Sequence, residues 1–526
     1  MTYDVAVIGC GPVGALAANL LGREGLRVLV VEQELDPHPL PRAVHLDHEA
    51  MRLLQSAGVV ARMAPDMRET QGHLHIGADR GVIRYMGTVG RPKPFGWAND
   101  YFFYQPEFER HLRTALEAVP SVELRLGSAF EDLSQDQTGV DLRLRTAAGS
   151  EAARAKWVIA CDGARSAVRQ QLGVQLADLD FEEPWLVVDA EVDGPIRFDE
   201  LTGVPAEADL QQLSVMMCDP RRPATIVPGR GNHRRWEFML LPGEDDAEMM
   251  TPATVSRLLE PWLGGTSHRL IRAATYRFHG LVAETWSLGR VFLAGDAAHQ
   301  TPPFFGQGMC HGLRDVANLA WKLGLVERGV ADPGLLETYQ RERDPHVRQV
   351  IAAAIEAGRY ICVLDPAAAA ERDERLRAQQ RSAQLQVAGD LIPPICDGLV
   401  WDRGPAAGER FVQPWVRAAA GPVLLDDLSS GWRLFVRNQQ LADMSRPLAQ
   451  ALPAGLAIDV IAVNGLADDG ALTAWLKARG AVAALVRPDF YVFGAATSAD
   501  EIEPLLKSLA AGLSGAKVAA DLAVTS

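Results

Sequence analysis

A glycine-rich turn near the N-terminus constrains this chain more than any other feature of its sequence. Residues 9–14 read GCGPVG, directly after a strand-like apolar run over 4–8 and at the start of a helix-like segment over 12–24. In this pattern the first glycine permits a tight turn, the second lets a pyrophosphate approach, and the third lets the helix pack on the strand. The positive end of the helix then faces the phosphates. We therefore expect dinucleotide binding, rather than simple chain reversal, at Gly9, Gly11, Pro12, Val13 and Gly14.

The second strand of this unit supports the same interpretation. Residues 26–31 are apolar and rich in β-branched side chains, which is typical of a parallel strand buried on both faces. Glu32 closes that strand, where a carboxylate can accept hydrogen bonds from a ribose. Strand, turn, helix, strand and terminal acid follow one another in the order of a Rossmann-type unit. The pattern predicts a bound dinucleotide but does not separate NAD from FAD.

Composition limits the partners of the chain. Its 526 residues carry a net charge of −15, so the surface repels phosphate backbones and we expect no nucleic-acid partner. The sequence has no apolar run of membrane-helix length, and no basic-then-apolar leader precedes the first strand, so we expect no membrane association. Six scattered cysteines without a CxxC or zinc-type spacing predict no metal site and favour the cytoplasm.

The order of predicted elements gives an α/β fold with an inserted sheet. Residues 1–178 are expected to form the first part of a Rossmann-type domain. Residues 179–285 alternate like strands and predict an inserted β-sheet domain that binds substrate. Residues 286–392 return to the first domain with long helices, the last of them an exposed helix over about 366–390. A linker bearing proline and glycine then leads to a further α/β domain over 408–526.

Two later motifs, together with the N-terminal turn, carry a family resemblance. One is Asp162-Gly163 followed by Arg165-Ser166; the other runs from Gly295-Asp296 through Pro302-Pro303 to Gly306-Gln307-Gly308-Met309. Over residues 1–360 this set resembles the single-component FAD-dependent aromatic hydroxylases, the group A flavoprotein monooxygenases. Residues 41–43 (PRA), 105–106 (QP) and 318–323 (NLAWKL) look most like the 3-(3-hydroxyphenyl)propionate hydroxylases of that group.

The resemblance implies FAD as the cofactor and assigns roles to the motifs. Asp296 would accept a hydrogen bond from a ribose or ribityl hydroxyl. Gly306, Gln307 and Gly308 would turn backbone amides toward the isoalloxazine, which is negative near N1 and O2 when reduced. Many members carry Asn and Thr where this chain has Cys310 and His311, so no side-chain role carries over at those positions. The other implied FAD contacts are Arg42, Gln105, Asp162, Gly163, Gly295, Pro303 and Met309.

The same resemblance implies a reaction. NADH or NADPH would reduce FAD, O2 would give a flavin C4a-hydroperoxide, and one oxygen would reach the ortho carbon of a small phenol. A nearby base must polarise the phenol, and the candidates are His45, Asp47, His48 and Tyr104. The alternatives are another FAD-dependent oxidoreductase, such as a reductase, and a non-catalytic flavin-bearing sensor or scaffold.

The substrate pocket is less defined by sequence. For a propionate-type carboxylate, an arginine of the inserted sheet is the expected partner, and the candidates are Arg221, Arg222, Arg230, Arg234 and Arg235. Several aromatic residues can either shape a ring pocket or pack in the core: Trp185, Trp236, Phe238 and Phe304.

The C-terminal domain from residue 408 resembles the thioredoxin-like tail of these hydroxylases. The last cysteine of the chain is Cys396, so the tail has no thiol and dithiol exchange there is impossible. We expect a packing role or a homodimer contact, the alternative being a stabilising appendage without a partner.

Overall fold

A Rossmann-type sheet forms the N-terminal part of the protein. The computed structural model describes residues 2–382, 391–419 and 421–515. The N-terminal strand pairs in parallel with a neighbour on either side, and Val28 to Val31 are buried on both faces, as their apolar sequence predicts. In sheet order the strands are Ser287–Leu288, Val291–Leu293, Gly149–Ala160, Thr2–Ile8, Val28–Glu32 and Val122–Leu126, with Val140–Thr146 and Ala129–Gln135 as an antiparallel extension of Gly149–Ala160.

The inserted sheet draws on two separate stretches of the chain. Its strands, in order, are His299–Gln300, His268–Ala283, Leu176–Val192, His233–Met239, Ala224–Val227, Ser214–Met217, Gly72–Ile76 and Val82–Gly87. Ser214–Met217 pairs in parallel with Gly72–Ile76, so part of the sheet comes from before the predicted 179–285 insertion. The exact domain bounds remain predictions. A small sheet of His45–Asp47, Asp100–Phe102 and Arg68–Glu69 comes from residues 45–102, the part of the chain that also contains the first of these two stretches.

Long helices pack on these sheets. Gly308–Glu327 packs against Pro12–Arg23, and Thr338–Ile361 packs against both Gly308–Glu327 and the strand His268–Ala283. The predicted exposed helix is Pro366–Arg381, and residues 383–390 of that prediction lie outside the described residues. Within the described ranges, no helix is long and apolar enough to cross a membrane. The other α-helices are His48–Ser56, Val60–Met63, Gln105–Leu116, Ala167–Gln171, Asp246–Met249, Pro252–Leu263, Leu425–Leu428, Gln439–Gln450, Ala471–Ala478 and Ile502–Leu513.

The C-terminal domain has the predicted thioredoxin-like arrangement. Strands and helices alternate as β-α-β-α-β-β-α, and the sheet order is Ile458–Ala462, Trp432–Val436, Ala483–Val486 and Val492–Ala496. The first two strands are parallel and the other pairs antiparallel. A hairpin of Trp415–Ala418 and Gly421–Leu424 precedes the sheet. Residues 516–526 of the predicted domain lie outside the described part of the chain.

A buried ion pair joins this domain to the helix His48–Ser56. The Arg52 Nε donates to an Asp426 carboxylate oxygen at 2.5 Å, and the two side chains are 1% and 5% exposed. Arg433 binds the same carboxylate, and the Arg52 guanidinium lies 4.1 Å from the centroid of the Phe490 ring. Because both charges are buried, removing one partner should lower the free energy of unfolding more than removing one partner of an exposed pair.

We expect Arg52→Met to lower the free energy of unfolding by about 3 kcal/mol, since it leaves the Asp426 carboxylate buried with one cation fewer. Denaturant unfolding followed by circular dichroism measures the change. The control is Lys507→Met, which removes the exposed pair with Glu503 and is expected to cost about 0.5 kcal/mol. Equal effects of the two changes would contradict a structural role for the buried pair.

Candidate active site

The N-terminal glycine turn leaves space on one side only. Gly9 has φ +95°, and a Cβ there would lie 2.5 Å from the Cys161 carbonyl oxygen. A Cβ on Gly14 would lie 1.9 Å from the Gly9 carbonyl oxygen. A Cβ on Gly11, by contrast, would meet no described atom within 4 Å. The first and third glycines are therefore required by the protein's own backbone, and the second faces the space that a pyrophosphate needs.

Glu32 lies at the end of its strand and holds the turn in place. Its Oε2 accepts a hydrogen bond from the Cys10 amide at 2.7 Å, and its Oε1 accepts one from the Glu34 amide at 2.9 Å. Arg113, which sequence reasoning missed, donates from Nε to the Cys10 carbonyl at 3.2 Å. Its buried Nη1 has no hydrogen-bond partner among the described residues, which fits a nearby phosphate or hydroxyl acceptor.

The turn at Gly295-Asp296 lies against the first helix. Val13 packs on Gly295, where an added Cβ would be 3.1 Å from the Val13 Cγ2. The Gly295 amide donates to Asp315 at 3.1 Å, and this buried carboxylate also binds His299 at 2.6 Å. Asp296 is exposed although its two neighbours are buried. Its carboxylate is therefore accessible to a ribose or ribityl hydroxyl.

The Asp162-Gly163 turn is joined to the previous one by a further residue that sequence reasoning missed. Arg169 donates to the carbonyls of Ala297 and Ala164, both at 3.0 Å. The Asp162 Oδ2 accepts from the Val168 amide at 3.1 Å, while its buried Oδ1 has no partner in the described structure. Burial raises the pKa of Asp162. The unpartnered oxygen fits a hydroxyl donor of a dinucleotide.

Gln105 and Arg42 have different roles at the loop that contains Arg42. The buried Gln105 Oε1 accepts hydrogen bonds from the amides of Arg42 and Ala43 at 2.9 and 2.6 Å, so Gln105 holds this loop in place. The Arg42 side chain is 54% exposed and lies 3.8 Å from Glu109, which leaves it accessible to a cofactor. Arg235 clamps the loop by donating to the Arg42 carbonyl at 2.6 Å.

The Gly306 turn presents a helix N-terminus. Pro303 begins a 3-10 turn that ends at Gly306, which has φ +63° and would place a Cβ 2.6 Å from the His45 Nδ1. Helix Gly308–Glu327 follows, and its N-cap Gln307 makes no side-chain cap bond. The first four amides of a helix have no intrahelical acceptor, so those at Gly308 and Met309 are available to an anion.

These features fit FAD. A pyrophosphate fits at Gly11, hydroxyls fit at Asp296 and Asp162, and the negative edge of a flavin ring fits at the amides that begin the helix after Gln307. When bound, FAD accepts hydride and activates O2.

We expect Asp296→Ala to weaken FAD binding roughly 10-fold, because a charge-assisted hydrogen bond is lost without disturbing a buried neighbour. Flavin fluorescence titration of the apoprotein measures the dissociation constant. Asp500→Ala, at a surface turn of the C-terminal domain, is the matched control and should leave the constant unchanged. An unaltered constant in the Asp296 variant would remove this residue from the cofactor site.

A cavity lies against the Gly306 turn. Phe305 and Gln307 of the turn line it, together with His73 and Met86 of the inserted sheet. The remaining lining residues are Asp47, His48, Asn99, Asp100, Leu391, Ile392 and Arg410. The cavity therefore brings together parts of the FAD-binding domain, the inserted sheet and the C-terminal region.

Two of the predicted catalytic residues line this cavity. The His48 ring packs edge-on against Phe95 at 4.5 Å, and its buried Nδ1 has no hydrogen-bond partner among the described residues. Burial, followed by the charge of Arg410, lowers the pKa of His48 to about 4, so the imidazole is neutral near pH 7. Asp47 caps helix His48–Ser56 and pairs with Arg314. Although burial opposes it, Arg314 holds the pKa of Asp47 well below its ordinary value.

His45 lies behind the cavity wall. Its Nε2 lies 2.7 Å from an Asp100 oxygen, and its Nδ1 lies 3.3 Å from the Gly306 carbonyl. Although burial opposes it, the bond to Asp100 raises the pKa of His45 well above its ordinary value. Ligand atoms of His45, His73 and Asp100 come within 4.8 Å of one another, a grouping that the sequence did not predict. Two members of this group, His45 and Asp100, already form a hydrogen bond with each other, and we assign no metal to the group.

Tyr104 and the predicted arginines lie elsewhere. The Tyr104 ring packs on His233 at 5.8 Å and under Arg230 at 5.7 Å, outside the described lining of the cavity. None of the arginines proposed for a carboxylate belongs to that lining. Each instead binds a partner in the protein: Arg221 with Asp219, Arg222 with Glu244, Arg230 with Glu107, Arg234 with backbone carbonyls, and Arg235 with Asp189.

The four aromatic candidates pack in cores. Trp185 contacts Phe304 and Phe278 at ring-centroid distances of 6.0 and 5.8 Å, and Trp236 and Phe238 lie in the core of the inserted sheet. The phenylalanine that lines the cavity is Phe305, next to the predicted Phe304. The sequence gives no signal that separates the two.

The fold and the glycine turns define a flavoprotein of the Rossmann type with an inserted sheet. An FAD binding domain model matches residues 2–354, and the chain belongs to that family. An HcaD C-terminal domain model matches residues 408–512. Among curated proteins, the chain is 35% identical to a probable NADH-specific resorcinol 4-hydroxylase of Rhodococcus jostii (strain RHA1), over 97% of this chain and 95% of the relative.

Other relatives agree. The chain is 34% identical to a 3-(3-hydroxy-phenyl)propionate/3-hydroxycinnamic acid hydroxylase 2 of Burkholderia vietnamiensis (strain G4 / LMG 22486), with 93% of each chain covered. The crystal structure of aklavinone-11 hydroxylase with FAD and aklavinone is similar at a TM-score of 0.76, with 26% identity, 96% of this chain and 98% of the other covered. The protein is an FAD-dependent aromatic hydroxylase that uses NAD(P)H and O2 on a phenolic substrate. The comparisons favour this function over the reductase or scaffold.

Proposed function

We propose that this enzyme hydroxylates a single-ring phenol at an ortho carbon, inside the cavity beside the Gly306 turn. The observation that carries the proposal is the position of His48. Its unpartnered Nδ1 belongs to a residue that lines the same cavity as Phe305 and Gln307, which are part of the turn that fits the isoalloxazine. In the tautomer that carries its proton on Nε2, the neutral imidazole can accept the phenol proton at Nδ1 and raise electron density at the ortho carbon.

The surrounding residues have supporting roles in this proposal. Phe305 and Met86 give the cavity apolar surface that excludes water from the reacting ring. His45 keeps its proton between Asp100 and the Gly306 carbonyl, so it positions the flavin turn rather than contacting the phenol. Asp47 holds Arg314, and Arg314 in turn donates to the Gln307 side chain at 3.1 Å. Tyr104 is assigned no contact with the phenol.

The FAD contacts proposed from the sequence are kept. Contacts between the turns, such as Gly9 with Asp162 and Gly295 with Val13, support the set. It comprises Gly9, Gly11, Pro12, Val13, Gly14, Glu32, Arg42, Gln105, Asp162, Gly163, Gly295, Asp296, Pro303, Gly306, Gln307, Gly308 and Met309. Arg113 and Arg169 are added to it. Glu32 and Gln105 act mainly by fixing backbone, since their oxygens already accept amide hydrogen bonds.

The experiment is a screen of single-ring phenols for stimulated oxidation of NADH and of NADPH. The panel includes resorcinol and 3-(3-hydroxyphenyl)propionate, and the product of each active phenol is identified by mass and NMR. We expect one added oxygen, derived from 18O2, beside the original hydroxyl. Nucleotide oxidation that gives only hydrogen peroxide with every phenol would contradict the proposal.

Two further properties, the compartment and the oligomeric state, are also proposed. The six cysteines are all free thiols, which supports a reducing compartment, the cytoplasm. A homodimer through the C-terminal region is the second, and Trp415 and Leu428 are apolar residues of that region with exposures of 52% and 46%. Light scattering of the purified protein at several concentrations tests the dimer, and a monomer at every concentration would exclude it.

A further inference from the structure

Tyr491 links the thioredoxin-like domain to the helix His48–Ser56. It directly precedes the strand Val492–Ala496 of that domain, and its side chain is buried. Its hydroxyl donates to the Glu49 Oε1 at 2.8 Å. Glu49 is 2% exposed and lies in the first turn of the helix, one residue after His48. A residue of the C-terminal domain therefore holds a buried carboxylate beside the candidate active site.

The direction of the hydrogen bond at Tyr491 follows from its other neighbour. The Arg343 Nη1 lies 2.8 Å from the His346 Nδ1. Because a guanidinium only donates, this ring nitrogen accepts, and the neutral imidazole carries its proton on Nε2. That Nε2 lies 3.5 Å from the Tyr491 oxygen, so the hydroxyl proton is left for Glu49. Burial raises the pKa of Tyr491 and lowers the pKa of His346, so both groups are neutral near pH 7.

Glu49 in turn holds Arg314, a buried residue of the helix Gly308–Glu327. The Glu49 Oε2 accepts from the Arg314 Nε at 2.8 Å and lies 3.4 Å from the Arg410 Nη1. The Arg314 side chain is 1% exposed and also pairs with Asp47. Burial favours the neutral form of Glu49, but the charge of Arg314 outweighs it and lowers the pKa. The contact is therefore a charge-assisted hydrogen bond in a site largely shielded from water.

Arg314 makes the last contact of this network, with the side chain of Gln307. The Arg314 Nη1 donates to the Gln307 Oε1 at 3.1 Å. Gln307 is the N-cap of the helix Gly308–Glu327, and its side chain makes no capping bond to the first amides of that helix. The amides at Gly308 and Met309 follow it directly in the chain. The position of these donors relative to a flavin therefore depends on how Arg314 holds Gln307.

We propose that Tyr491 is a positioning residue for the flavin: through Glu49 and Arg314 it holds the turn whose amides face the isoalloxazine. The inference rests on the proposed function, from which it takes the place of the flavin at this turn. Correctly placed amides stabilise the negative charge of the reduced ring, so a displaced turn should make FAD harder to reduce. The thioredoxin-like domain thereby has a role at the flavin that requires no thiol.

The test measures the equilibrium constant for reduction of bound FAD, by anaerobic equilibration with a reference dye in the absence of any phenol. Tyr491→Phe removes the hydroxyl and keeps the ring. We expect it to lower this constant roughly 3- to 10-fold, the effect of losing a hydrogen bond. Glu49→Gln keeps the shape of the side chain but removes the charge that holds Arg314, and it should change the constant in the same direction.

The matched control is Tyr360→Phe. The Tyr360 hydroxyl is also hydrogen-bonded within the protein, to the His75 Nδ1 at 2.8 Å, but neither residue belongs to the network between Tyr491 and Gln307. This variant should leave the constant within about 2-fold of the wild-type value. FAD content and melting temperature of each variant show whether it is folded.

A double-mutant cycle with Gln307→Leu separates positioning from a general loss of stability. Gln307→Leu alone should lower the constant at least as much as Tyr491→Phe, because it breaks the contact between Arg314 and the turn. Adding Tyr491→Phe to that variant should then change the constant no further, since the two residues act along one chain of contacts. A merely structural effect of Tyr491 would instead add to the effect of Gln307.

A wild-type constant in Tyr491→Phe would overturn the inference, and so would additive effects in the cycle; both outcomes leave the proposed function standing. Failure of the proposed function has other signatures. A wild-type constant in Gln307→Leu would place the flavin away from this turn and overturn both. If the constants shift as expected but no phenol of the panel gains oxygen, the positioning role of Tyr491 stands and the ortho-hydroxylation does not.

Discussion

Gly14→Val is expected to yield a protein that lacks FAD. A Cβ at this position would lie 1.9 Å from the Gly9 carbonyl oxygen and 3.2 Å from the Cys161 Cβ, so no rotamer of valine can be accommodated without moving the first helix off the sheet. That movement displaces the helix N-terminus from the pyrophosphate site. The ratio of visible flavin absorbance to ultraviolet protein absorbance in the purified protein measures the loss of FAD.

The matched control for this substitution is Gly465→Val in the C-terminal domain. A Cβ on Gly465 meets nothing within 4 Å, so the same side chain is added without a described clash. We expect this variant to retain FAD. Gly11→Ala separates the two roles of the turn, because its added methyl group enters open space and should lower FAD affinity without affecting the fold. Full FAD content in the Gly14 variant would contradict the placement of the cofactor.

His48→Ala is expected to lower kcat roughly 100-fold, the effect of losing a general base. The substitution removes the cavity group that accepts the phenol proton, while the FAD-binding turns keep their contacts. Stopped-flow kinetics separates this step from flavin reduction, which should change by less than about 3-fold. Tyr104→Phe tests the other candidate, and its position against His233 predicts nearly wild-type turnover. A large loss in the Tyr104 variant, with an active His48 variant, would reverse the assignment.

The same residue sets the expected pH dependence. The pKa of His48 is lowered to about 4, so lowering the pH protonates the imidazole and removes its acceptor only well below neutrality. We expect kcat/KM to stay level from pH 8 down to about 6 on this account and to fall as the pH approaches 4. An acid limb centred near the ordinary histidine pKa of about 6.5 would show that His48 is more exposed to water than its burial indicates.

The architecture was largely predictable because its determinants are local. The turn at Gly9 to Gly14 has a buried strand before it and another after the helix, and this local pattern predicts a Rossmann unit. In the C-terminal domain, the alternation of strand-like and helix-like segments predicts the order of the elements in the same way. The confirmed fold class, cofactor and enzyme class follow from such segments and from the family resemblance attached to them.

The cavity was less predictable because distant parts of the chain form it. No local pattern indicates that Arg410, Leu391 and Ile392 lie beside His48, or that Met86 comes from a strand of the inserted sheet. The search for a carboxylate partner was directed to the inserted sheet, whose arginines prove to be engaged with acids and carbonyls. Single basic residues carry no positional signal, and only tertiary contacts show which of them reach a ligand.

The divided origin of the inserted sheet affects how the protein is made. Gly72–Ile76 leaves the ribosome well before its parallel partner, Ser214–Met217, and has no other neighbour on that side until the partner arrives. During this interval the chain exposes a strand edge that is open to pairing with another molecule. Slow translation between the two segments should therefore increase aggregation, and chaperones that bind extended apolar segments should increase the yield of native enzyme.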